Sequence, residues 1–224
     1  MNKTSIFAGT IGGIAIAGSA VAGMNGLSYD IVGNDLEPGT YTVRMYAEVD
    51  AGNRVDAVFG NSEYNMSINY NGGAYAYQNS LGGPTSTSIN PAFFALAPSL
   101  EWDSYVTIGS LYAPNALQDI GISWTSWDPD GGDLFSDNGT FFITPADPQG
   151  EESGGRVLIA QFTTFAGSGD YDLMFSAGFQ GKDASGTTWQ SAHSVSIAGE
   201  IIPAPGAMAL LGLAGLAGRR RRRG

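Results

Sequence analysis

The densest chemical stretch of the chain is acidic and bent by glycine: Trp127-Asp128-Pro129-Asp130-Gly131-Gly132-Asp133, then Ser136-Asp137-Asn138-Gly139. Carboxylates at alternate positions of such a loop can converge on one hard cation, and calcium takes about six to eight oxygens. Asp128, Asp130, Asp133 and Asp137 are therefore candidate calcium ligands. The EF-hand pattern is incomplete, with Gly132 at the fifth loop position and no Glu at the twelfth. The same residues also read as a hairpin loop whose Asp and Gly serve the turn.

Aromatic rings beside amides form a second candidate. Tyr64, Tyr70, Tyr75 and Tyr77 lie near Asn65, Asn69, Asn71, Gln78 and Asn79, and Trp124 and Trp127 flank a turn. Ring faces stack on sugars and amides bond to hydroxyls, so Tyr75, Tyr77, Trp124 and Trp127 are candidate glycan-binding residues. Burial is the competing account, because Trp and Tyr bury large areas. Tyr64, Met66, Ile68 and Tyr70 share one face at period two and read as core.

Catalytic constellations are thin. Glu101, in Leu100-Glu101-Trp102-Asp103, is an acid beside an aromatic, but no paired motif fixes the separation that glycoside hydrolysis requires. The single histidine, His193, lies in Trp189-Gln190-Ser191-Ala192-His193-Ser194, and the chain has no Gly-x-Ser-x-Gly elbow. Without Cys there is no thiol nucleophile, disulfide or zinc finger. No catalytic residue is assigned, and a polysaccharide hydrolase is the least favoured function.

Charge narrows the partners. Six of the ten basic residues are Lys3, Arg219, Arg220, Arg221, Arg222 and Arg223, at the two extremes of the 224-residue chain. Between them stand four basic residues against 21 acidic ones. So acidic a body repels phosphates, which excludes nucleic acid as a partner.

The elements that must hold these residues are strands. Tyr41, Val43, Met45, Ala47 and Val49 alternate with Thr40, Thr42, Arg44, Tyr46 and Glu48, a period of two. Asp50-Ala51-Gly52-Asn53 follows as a turn, and Val55, Ala57 and Phe59 then share a face. The pair predicts a hairpin. Further runs are 64–70, 75–78, 104–108, 120–124, 140–144, 156–164, 171–179 and 194–202, nearly all bounded by Gly, Asn, Asp, Ser or Pro. About ten short strands with turn signals predict an all-β chain, a single antiparallel β-sandwich of jelly-roll-like form. Residues 90–96 suit either one helical turn or a packed loop, and 145–155 form a long polar loop.

The two ends carry addresses. Lys3, the apolar stretch 6–17 and the small-x-small site Ala20-Val21-Ala22 predict a signal helix over residues 1–22. Sec-type export would deliver it to signal peptidase. The alternative is an uncleaved N-terminal membrane anchor. At the other end, Pro203-Ala204-Pro205-Gly206 precede an uncharged run over 207–217 and the cluster Arg219 to Arg223. Basic residues stay on the cytoplasmic side. The 18 residues of 201–218 just span a hydrocarbon core of roughly 30 Å at about 1.5 Å per residue.

This tail resembles the PEP-CTERM sorting signal, which has a Pro-Glu-Pro-type motif, a brief transmembrane helix and a terminal Arg cluster. Ala204 stands where Glu is usual. The resemblance covers residues 202–224. It implies a Gram-negative-type bacterium, a transient inner-membrane intermediate, and processing by an exosortase-type membrane protease near Pro203, Ala204, Pro205 and Gly206. The product would be released or displayed at the cell surface, in an extracellular polysaccharide matrix. Residues 54–61, 88–94 and 156–163 are also similar to exported proteins that end in this way, a likeness that brings no activity with it. The expected organisation is a signal peptide (1–22), a β-sandwich (23–201) and a sorting tail (202–224). The expected function is that of a structural protein associated with extracellular polysaccharide. A glycan-binding, lectin-like module, calcium-assisted, is the alternative.

Overall fold

The structure, a computed structural model, describes residues 23–36 and 39–198. The signal helix with Ala20 and Ala22, and the sorting helix with the Pro203 to Gly206 motif and the Arg219 to Arg223 cluster, lie outside these residues. Among the described residues no helix is long and apolar enough to cross a membrane.

Among the described residues twelve strands follow in order: Met24–Val32 (β1), Thr40–Val49 (β2), Arg54–Gly60 (β3), Met66–Tyr70 (β4), Tyr75–Ala76 (β5), Tyr105–Val106 (β6), Gln118–Ile120 (β7), Leu134–Ser136 (β8), Gly139–Phe142 (β9), Arg156–Phe165 (β10), Leu173–Lys182 (β11) and Thr188–Ile197 (β12). They form two antiparallel sheets packed face to face. In the first, β2 lies between β1 and β10, and both β5 and β6 pair with the far edge of β10. In the second, β11 pairs with β12 on one side and with β3 and β4 in line on the other; β9 and β8 follow, then β7 beside β9.

The inner faces follow the alternation. Tyr41, Val43, Met45, Ala47 and Val49 of β2 are buried, as are Leu173, Phe175, Ala177 and Phe179 of β11. Each large apolar side chain so buried contributes about 1.5–3 kcal/mol. A slip of one residue would turn the whole set to water, so burial fixes the register.

Local periodicity misplaced the last strand, expected over 194–202 and found at Thr188–Ile197, and misassigned three features besides. The expected hairpin of 40–49 with 54–59 does not form, because β2 and β3 belong to different sheets. Asn53 N–H donates to the Asp50 carbonyl at 3.0 Å, and of the two central residues only the second, Gly52, takes a positive φ (81°). That is the unprimed turn pattern, which splays its flanking strands, whereas a tight hairpin needs a primed one. Secondly, Val55, Ala57 and Phe59 do not share a face. The register shifts between the Gln180 and Gly181 pairs of β11, so Asp56 is bulged. Val55 and Val58 point into the core, and Ala57 and Phe59 point outward. Thirdly, the strand expected over 120–124 is Gln118–Ile120. It ends at Gly121, whose φ of 76° leaves the extended region.

A third layer covers the first sheet. β10 is buried on both faces, because residues 77–117 fold back over it. Val106 of β6 joins the main core, while its neighbour Tyr105 joins a second small core with Ile89 and Leu100. Within this layer Pro91–Phe93 forms a single 3-10 turn whose first free N–H, that of Ala92, donates to Asn90 Oδ1 at 3.0 Å. The polar loop over 145–155 is tied down as well. Gln149 receives the Ala116 N–H at 2.8 Å and donates to the Ile108 carbonyl at 2.6 Å.

Candidate functional site

Most outward positions of the second sheet form a regular, uncharged surface, with Lys182 and Thr188 in the next rung at its end. Strand register sets them in four rungs: Ser196, Met174 and Asn69; Ser194, Ser176, Ser67 and Phe135; Ala192, Gly178, Phe59, Thr140 and Ile120; Gln190, Gln180, Ala57, Phe142 and Gln118. None of these positions is charged. Two rungs are bonded across strands. Ser67 and Ser176 hydroxyls lie 2.9 Å apart, and Asn69 donates to Ser67 at 2.9 Å. Gln190 Nε2 donates to Gln180 Oε1 at 2.7 Å. Between them the Phe59 ring covers Gly178, where a Cβ would stand 2.5 Å from the ring. Only glycine there lets the ring lie over β11. Phe135 is 60% exposed at the margin. The exposed stretch 62–65, between β3 and β4, brings Glu63 and Tyr64 beside this surface, and Asp137 lies in the turn joining β8 to β9.

The glycan-binding residues expected from the sequence lie elsewhere. Trp127 is fully buried in the main core, 6.1 Å from the Phe162 ring, and donates its indole N–H to Tyr70 Oη at 3.2 Å. Trp124 packs against it at 5.8 Å and donates to Asp119 at 3.2 Å. Tyr75 stacks on Phe165 at 4.3 Å with 46% exposure, while Tyr77 accepts from Asn79 Nδ2 at 3.1 Å. All are distinct from the open sheet face. Met66 and Ile68 are core as expected and Tyr70 packs against it, but Tyr64 lies before β4 and is exposed.

The acidic loop is held by its own hydrogen bonds. The Trp127 and Asp128 N–H groups both donate to the Trp124 carbonyl, and Gly132 N–H donates to Ser126. Gly131 has φ 72°, and a Cβ there would meet the Ala76 carbonyl at 2.5 Å. Its own carbonyl accepts from Ala76 N–H at 2.9 Å, so this glycine serves the seam to β5. Asp133 accepts the Tyr70 N–H at 2.8 Å. Asp130, Asp133 and Asp137 are exposed, and burial raises the half-buried Asp128 carboxyl above its ordinary value. Among the described residues no three acidic or histidine side chains are grouped to hold a metal ion.

Among the described residues Asp103 is the one fully buried carboxyl with a strong perturbation. It accepts N–H bonds from Asn79 at 2.7 Å, Gly83 at 3.1 Å and Ser104 at 3.0 Å. Burial pushes it up to about 7 against the pull of those donors, and Asp128 adds a smaller push upward. A Cβ on Gly82 would stand 1.8 Å from its Oδ2. Asp103 thus organises the loop over 79–83 and is not free to pair with Glu101 in catalysis. Glu101 accepts from the Tyr112 hydroxyl at 3.4 Å. His193 packs edge-on against Phe179 at 6.1 Å, and burial lowers its pKa.

Compared with known protein families and with curated proteins, the chain matches none of them. The residues of the open face were missed because Phe59 reads as inward until the bulge at Asp56 is seen. The outward polar set of β11, Ser176 and Gln180 among Phe175, Ala177 and Phe179, was the available signal.

Proposed function

We propose that this is an exported structural protein of an extracellular polysaccharide matrix, displayed on the cell surface or released from it. Its body is a jelly-roll-like sandwich between a signal helix and a sorting helix, and an exosortase-type protease processes the tail. The membrane is a transient station, and extracellular polysaccharide is the partner. The protein acts by adhesion and scaffolding without catalysis. The observation that carries this reading is the open face of the second sheet, whose hydroxyls, amides and rings are uncharged on an otherwise acidic body. Such a surface suits adhesion to a hydroxylated polymer and offers no electrostatic hold on a phosphate backbone.

The test is deletion in the producing bacterium together with fractionation of its extracellular matrix. The expected result is co-fractionation with the polysaccharide, unchanged polysaccharide chain length and weakened matrix cohesion. Shortened polysaccharide chains in the presence of the purified protein would make it a hydrolase instead. A chain that stays in the cytoplasm would defeat the proposal.

A further inference from the structure

We infer that the open face of the second sheet binds a neutral, hydroxyl-rich polysaccharide chain, with the Phe59 ring as its stacking platform between the Ser67–Ser176 and Gln180–Gln190 rungs. The inference rests on the matrix reading above and gives it a surface and a ligand class.

Three observations lead there. The polar groups of the face are Ser, Asn, Gln and Thr, side chains that each carry both a donor and an acceptor. Sugar hydroxyls have the same double character, so a polymer of them can be matched in either sense along its length. The groups repeat about every 4.8 Å across strands and about every 6.8 Å along them, the spacing of a pleated sheet. An extended chain therefore meets polar partners on the Ser and Gln rungs and an apolar one, Phe59 over Gly178, between them. Between the polar rungs, Phe59 over Gly178 offers an apolar surface for the C–H face of a ring.

Charge decides between sugars. The four rungs carry no charge; Glu63 and Asp137 flank them, and Lys182 stands in the next rung at the end of the face. The body as a whole has four basic residues against 21 acidic ones. A polyanion would be repelled on approach and find no cation in the middle of the face, whereas a neutral chain meets neither penalty. The face also carries Phe59, Phe135, Phe142 and Met174, of types enriched at protein interfaces, beside Ser, which is depleted there, so a second copy of the chain is the occupant that the test must separate.

The experiment is affinity electrophoresis of the purified full-length chain in detergent through gels containing dextran, xyloglucan or galactomannan as neutral probes, and alginate or polygalacturonate as acidic ones. Retention by a neutral probe and not by the acidic ones is expected. Phe59→Leu, which keeps apolar volume but removes the ring, and the pair Ser176→Ala with Gln180→Ala should each weaken retention at least about tenfold. Tyr75→Ser, on the other sheet, should leave it unchanged. Gln190→Ala, on the exposed edge strand, supplies a further variant if Phe59→Leu does not fold. Neutral retention untouched by all the face variants overturns the inference, as does retention by acidic probes alone. Self-association abolished by the face variants also overturns it, by assigning the face to a second copy. Failure to bind any probe, with intact co-fractionation in the producer's matrix, sinks this inference and leaves the matrix reading standing; loss of both sinks both.

Discussion

At the scale of single residues, Asp103 and Gly178 make sharp predictions. The Asp103 carboxyl moves from an ordinary 3.8 to about 7 in the fold. Below about pH 4 it is protonated whether the chain is folded or not, so it imposes no pH dependence. Between about pH 4 and 7 the unfolded chain releases its proton while the fold retains it, and stability falls as pH rises. Asp103→Asn removes that titration. Its melting temperature relative to the parent should therefore climb across this window, on top of a constant loss from weaker N–H acceptance. Parallel melting curves against pH would refute it. Gly178→Ala pushes a methyl into the Phe59 ring, where its Cβ would lie 2.5 Å away. Overpacking of this kind costs about 1–3 kcal/mol. Denaturant unfolding should show that loss, and it should fall to almost nothing in a Phe59→Ala background.

At the scale of elements, the informative case is the segment around Trp127. Sequence spacing makes it a binding-site tryptophan beside a calcium loop, and the fold makes it a core residue under that loop. Trp127→Ala should cost about 3–5 kcal/mol of stability, measured by urea or thermal unfolding. Tyr75→Ala, half-exposed on its Phe165 neighbour, should cost much less. Equal losses would mean that Trp127 is not in the core. The β2 strand was legible down to its inward residues, because ten alternating positions leave no other assignment. β1 and β8 were not. Gly26 bulges β1, with a register shift between Met24 and Gly26, and β8 has only three residues, too few for a period to appear.

At the scale of the whole molecule, acidity dominates. The body has four basic residues against 21 acidic ones, and the described residues contain two ion pairs, Arg54–Asp56 and Arg156–Asp30. Net repulsion should therefore outweigh specific attraction. Raising sodium chloride from about 0.01 M to about 0.5 M shortens the Debye length from roughly 30 Å to below 8 Å. The melting temperature should rise over that range, and a fall would mean that the ion pairs outweigh the repulsion. The ends of the body also follow from the fold. Gly23 packs on Trp189 at the start of β12, whereas the chain leaves β12 at Ile197, whose carbonyl accepts from Asp172. The described body thus begins and ends at opposite ends of β12.

The amino-acid sequence alone settled the β class, the inward residues of β2, the acidity of the body, and the order of motifs at the two ends. Each is a local or additive property: alternation is read within one strand, charge is a sum, and a terminal motif is contiguous. Tertiary structure decided which sheet each strand joined, and so turned the expected hairpin over 40–59 into a crossing between sheets. It moved Phe59 outward through the bulge at Asp56 and drew Trp127 into the core. It also set Ser67 beside Ser176, 109 residues apart in the chain. Pairing between distant strands fixes these outcomes, and a period of two is the same whichever partner a strand finds.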